Sequence, residues 1–101
     1  MPIAQLTVVP LGGATSSLSD TVAQVVRAIE KSGVKYQLTP MSTILEGPLP
    51  AIIKAVRAAH EAAFAAGAGR VSTTLTIDDR RDRPTSMEHK VKVVRAKMNK
   101  Q

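Results

Sequence analysis

Ser72, Thr74 and Thr76 alternate with Val71, Thr73, Leu75 and Ile77, so a strand over this run carries one face that is rich in hydroxyls and free of charge. Such a face suits hydrogen bonding to a neutral or singly charged small molecule better than to nucleic acid. The strand runs into a charged turn, Asp78 to Pro84, and then a helical pattern that opens Thr85-Ser86-Met87-Glu88. Catalytic and metal-binding patterns are missing beside it. His60-Glu61 begins like the H-E-x-x-H metal motif, but the fourth following position is Phe64 and the other histidine is the distant His89. His60 shares a helical stripe with Val56 and Phe64 and reads as a packed histidine. Asp78, Asp79 and Asp82 are interleaved with Arg80, Arg81 and Arg83, which favours mutual salt bridging over a magnesium cluster. Gly12-Gly13 lies where a phosphate-binding turn would, yet it lacks both the dinucleotide fingerprint and the P-loop lysine and reads as a connector. No Ser/His/Asp, Cys/His or paired-acid constellation can be assembled. The expectation is therefore a protein without catalytic residues, metal or cofactor.

The elements that position these residues are legible from periodicity. Residues 3–9 alternate as a strand that Pro10 ends. Ser17, with Asp20, caps a helix whose Val22, Val25, Val26 and Ile29 share a face and which Gly33 closes. Residues 34–46 hold two short β-type runs around Pro40, a hairpin or a bent ribbon. Pro48 and Pro50 open a second helix with a stripe of Ile52, Ile53, Val56, Ala59, Ala63 and Phe64, ended by Gly67 and Gly69. After the Thr-rich strand, Thr85 and Glu88 form a capping box for a last helix lined by Met87, Val91, Val94 and Met98. The order β-α-β-β-α-β-α predicts an α+β fold, a ferredoxin-like βαββαβ sandwich with an extra C-terminal helix. Two helices then cover one face of the sheet. The open face carries Gln5 and Thr7, with Gln37 and Thr39 beside Ser72, Thr74 and Thr76.

Length and composition bound the rest. With 101 residues and 44% hydrophobic content, residues 1–101 make one domain that buries roughly two-thirds of its unfolded surface. Cysteine is absent, so disulfide and thiolate chemistry are excluded. The first twenty residues show neither a basic n-region nor an unbroken apolar run, which points to a cytoplasmic protein with no membrane segment. The net charge of +6 comes mostly from residue 80 onward. Two aromatic rings, Tyr36 and Phe64, are too few for a sheet that stacks bases, so nucleic acid is not the expected partner.

The ribbon Met41 to Gly47 (MSTILEG), the helix around His60 (AAHEAAF), the run Arg70 to Asp82 and the helix start Met87-Glu88-His89-Lys90-Val91 follow one another in a telling order. In these pieces the chain resembles the small thiamine-binding, YkoF-like proteins over nearly its whole length. The resemblance implies a ferredoxin-like fold, assembly into homodimers or homotetramers through the sheets, and binding of thiamine or its hydroxymethylpyrimidine part without turnover. The N-terminal loop PLGGATSS is longer and richer in Gly and Ser than the family pattern. Thiamine joins an aminopyrimidine, with donors and acceptors on one edge, to a permanently cationic thiazolium. Thr43 and Glu46, at the end of the ribbon, can supply a hydroxyl for the edge and a carboxylate for the cation; Glu46 can equally accept backbone bonds at the turn into the Pro48 helix. Gln5, Thr7, Gln37 and Thr74 are further candidate readers of the pyrimidine edge, although Thr is also simply a good strand former. The alternative is a nucleic-acid or protein-interaction module that uses the basic C-terminal helix.

Overall fold

The computed structural model describes residues 1–12 and 18–100. Strand β1 (Ile3–Pro10) buries Ala4, Leu6 and Val8 on one face and turns Gln5 and Thr7 to the other, as its alternation dictates. Helix α1 (Leu18–Lys31) presents Thr21, Val25 and Ile29, spaced four apart, to the core; Val22 and Val26 flank that line half-buried. Its expected Ser17 cap lies outside the described residues. Gly33, at φ +82°, ends the helix in the left-handed conformation that glycine adopts without strain.

Strands β2 (Lys35–Leu38) and β3 (Thr43–Glu46) form a hairpin, which settles the choice between hairpin and bent ribbon. Thr39 closes the turn: its hydroxyl donates to the Ser42 carbonyl at 2.8 Å and accepts from the Ser42 amide at 3.1 Å. Helix α2 (Leu49–Ala65) starts after Pro48, with Pro50 in its first turn, where a missing amide proton costs nothing. Its buried seam is Ile52, Ala55, Ala59 and Ala63. Ile53 and Phe64, expected on that stripe, are 48% and 40% exposed. Ile53 follows Ile52 by about 100° around the axis, and the run of alanines lets the helix approach closely along the other line.

Strand β4 (Val71–Asp78) completes a four-stranded sheet in the order β2-β3-β1-β4, with all neighbours antiparallel. This is the ferredoxin-like arrangement: β1 and β2 run parallel across α1, and β3 is inserted between them. Leu6, Ile29, Leu45 and Ile52 are fully buried where α1 and α2 meet the sheet.

Helix α3 (Met87–Met98) differs from its expected start. The cap is Ser86, whose hydroxyl accepts from the His89 amide at 3.1 Å, in place of Thr85. The Thr85–Glu88 box does not form because the Glu88 carboxylate turns to Lys35. No residue of α3 is buried. Val91, Val94 and Met98 of its apolar line are 52%, 57% and 69% exposed. Among the described residues no helix is long and apolar enough to cross a membrane.

Candidate ligand-binding site

Register sorts the candidate residues by face. Lys35, Glu46, Ile3 and Asp78 form one row across the open face of the sheet; Gln37, Ile44, Gln5 and Thr76 form the next; Thr7 and Thr74 stand opposite each other in the third. Gln5, Gln37 and Thr74 are exposed, and Thr7 is half-buried. The predicted polar surface is therefore present and uncharged in its second and third rows, but its outermost row carries Lys35, Glu46 and Asp78. Thr43 is not part of it. It pairs with Leu6 and Leu38 in register, faces the helices and is 6% exposed. Grouping it with Glu46 is corrected by strand geometry, since residues three apart on a strand point to opposite faces.

The outermost row of the open face is roofed by the start of α3. Glu46 Oε1 accepts from the Met87 backbone N–H at 2.7 Å, and Oε2 lies 3.5 Å from Lys35 Nζ. Lys35 also pairs with Glu88, and Lys90 with Asp78. A carboxylate whose side chain is 10% exposed thus meets free amides and the positive end of the α3 dipole. Glu46 does accept a backbone bond, but from α3 and not from the turn into α2.

These contacts make the seating of α3 sensitive to acid. The hydrogen bond from Lys35 holds the Glu88 carboxyl below its ordinary value of 4.5, and Arg81 and Arg80 hold Asp79 and Asp82 below theirs. Because these acids are lowered on folding, their pairing contributes fully above their unfolded values and fades as pH falls through the folded ones. The α3 amide resonances are expected to move toward unseated positions as pH falls below the ordinary carboxylate range, ahead of those of β1 and β3. Coincident loss of all three elements would show that the pairs do not seat α3.

Thr43 lines a different feature. Together with Thr7 it borders a cavity of about 120 Å³ under the hairpin, walled by Val22, Val26, Leu38 and Met41. The Thr43 hydroxyl has no hydrogen-bond partner among the described residues, and no polar side-chain atom among them is both buried and unpartnered. The hydroxyl therefore opens onto the cavity. An apolar slot with a few polar groups at its wall is the usual form of a small-molecule site. Its volume is on the scale of the roughly 150 Å³ apolar cavity that holds one benzene ring. Its place at the end of the ribbon, in a stretch that resembles the family, marked Thr43 as a candidate, but the apolar wall from α1 and the hairpin tip is a tertiary feature that no local pattern announces.

The remaining polar residues have structural uses. His60 Nδ1 lies 2.6 Å from Thr73 Oγ1 and its ring meets Phe64 edge-on at 5.3 Å, tying α2 to β4 as a packed histidine. Arg80 binds Asp82 with two hydrogen bonds and Arg81 binds Asp79, so the turn's acids pair as expected. No group of three or more His, Cys, Asp or Glu that could hold a metal occurs among the described residues.

The model of the family described as thiamine-binding protein matches residues 4–95. The chain belongs to that family. Among its relatives, a UPF0045 protein of Methanothermobacter thermautotrophicus is 48% identical over 99 residues, covering 97% of this chain and all of the relative. A hypothetical protein from Methanocaldococcus jannaschii superposes with a TM-score of 0.82 at 32% identity, over 92% of this chain and 94% of its own. A Thermotoga maritima protein assigned provisionally to thiamine biosynthesis or salvage superposes with a TM-score of 0.71 at 25% identity, over 92% and 97% of the two chains. These two solved structures share the fold of this chain.

Proposed function

We propose that the protein is a one-domain, non-catalytic binder of thiamine or its hydroxymethylpyrimidine part, and that it works as a homodimer or homotetramer. The observation that carries this reading is the hairpin cavity with its Thr43 hydroxyl, which has no hydrogen-bond partner among the described residues, in a chain of the thiamine-binding protein family. The aminopyrimidine enters the apolar slot, where the Thr43 hydroxyl reads its edge, and the thiazolium stays toward solvent; Thr7 reaches the slot only from its strand, since its side chain points to the open face. Gln5, Gln37 and Thr74 stand on the open face and belong to assembly. Glu46 seats α3.

Calorimetry tests this directly. Thiamine and hydroxymethylpyrimidine should both give binding heats that persist at 0.5 M salt, about three times the physiological strength, since the pyrimidine contact is not ionic. A single-stranded oligonucleotide should bind only at low salt. Salt-resistant oligonucleotide binding with no heat from thiamine would favour the basic α3 as a nucleic-acid surface.

A further inference from the structure

The turn after β4 and one flank of α3 enclose a groove of about 560 Å³ whose lining includes Arg80, Arg83, Lys90 and Lys97 against the single carboxylate of Asp78. Lys90 and Lys97 stand one face apart by seven residues, with Val93 between them, so both reach the same side of the helix. The turn is internally braced. Arg80 is held by Asp82 at 2.6 and 2.9 Å, and Pro84 restricts the backbone that leads to the Ser86 cap. Asp78 is engaged by Lys90. Among the described residues, Arg83 and Lys97 have no carboxylate partner, and His89 lies beside them on the groove wall.

We infer that this groove is a site for a small multivalent phosphate anion, such as pyrophosphate or the diphosphate end of an organic molecule. Two cations without a carboxylate partner among the described residues, one on a proline-stiffened turn and one on a helix that line the same groove, match two phosphoryl groups better than one. Arginine adds the bidentate geometry that phosphate oxygens accept. A single-stranded nucleic acid fits less well, because the groove lining has no Phe, Tyr or Trp to stack a base. The groove opens at the Asp78 end of the sheet, four residues along β1 from Thr7, and it stands independently of the pyrimidine site.

Titration of the full chain with sodium pyrophosphate in 0.1 M chloride tests the inference, with inorganic phosphate, thiamine diphosphate and an oligonucleotide as comparators. Pyrophosphate is expected to bind at least about tenfold more tightly than phosphate. The double variant Arg83→Ala/Lys97→Ala should lose at least about tenfold while keeping the wild-type melting midpoint, whereas Lys54→Ala, on the exposed side of α2, should change nothing. Thiamine diphosphate losing affinity in the double variant while thiamine does not would place an organic diphosphate in the groove. Equal weakening by Lys54→Ala, no pyrophosphate heat, or an oligonucleotide that outcompetes pyrophosphate at 0.1 M salt would each overturn the site, and none of these outcomes touches the thiamine reading.

Discussion

Thr43→Val is expected to weaken thiamine and hydroxymethylpyrimidine alike, by about 1–3 kcal/mol or roughly 5- to 150-fold in Kd. The pyrimidine edge is common to both ligands, and a valine in its place leaves a donor or acceptor of that edge buried without a partner. Stability should hardly move. The hydroxyl makes no hydrogen bond within the described protein, and the added methyl group faces Val22 and Val26. Glu46→Gln is the informative contrast. Its carboxylate lies under α3 and beside Lys35, so both ligands should bind the variant as they bind wild type while the α3 resonances shift. Calorimetry of the two variants against both ligands checks the pair of expectations. If Glu46→Gln lost thiamine selectively and Thr43→Val lost neither ligand, the site would move to the open face, with the thiazolium paired to Glu46.

Much of this geometry is legible in the sequence because it depends on local period. Alternation over residues 3–9 and 71–77 assigns Ala4, Leu6 and Val8 to the core and Gln5, Ser72, Thr74 and Thr76 to solvent. Pro48, Pro50 and Gly33 mark the helix ends that they were expected to mark. The same period-two rule separates Thr43 from Glu46. Closeness along the chain does not make them one site, because the pleat turns their side chains to opposite faces.

Other features are set by contacts that local pattern does not carry. The Glu46–Met87 bond spans 41 positions and the Lys35–Glu88 pair spans 53, while the cap of α3 falls on Ser86, one residue after the expected Thr85. Ile53 and Phe64 look like core residues by hydropathy, yet the alanine seam offers a closer approach to the sheet and takes the buried position instead. The cavity under the hairpin is likewise a product of three elements meeting: α1, the turn around Pro40, and β1.

Self-association is expected to be lost entirely in Val91→Glu/Val94→Glu. In the single chain, α3 buries none of its residues, although Val91, Val94 and Met98 share a side. The open face beneath it presents Gln5, Gln37, Thr74 and Thr76 without a charge among them. Beside that face, β4 pairs only with β1 among the described residues, and its edge from Val71 to Ile77 carries none of the lysines, prolines or bulges that guard natural sheet edges. A second copy of the chain, laid against this surface, covers all three features at once and satisfies the two-fold rule that the same patch serves both partners. Glutamates at positions 91 and 94 do not oppose the helix itself, because Lys90, Arg95 and Lys97 lie three or four residues away or adjacent. They do place two charges in the centre of the contact, where desolvation costs several kcal/mol. Light scattering at micromolar concentration should therefore give a dimer or tetramer for wild type and the 10.7 kDa monomer for the variant, with circular dichroism unchanged. A wild-type mass of one chain would rule out the open face and α3 as an assembly surface.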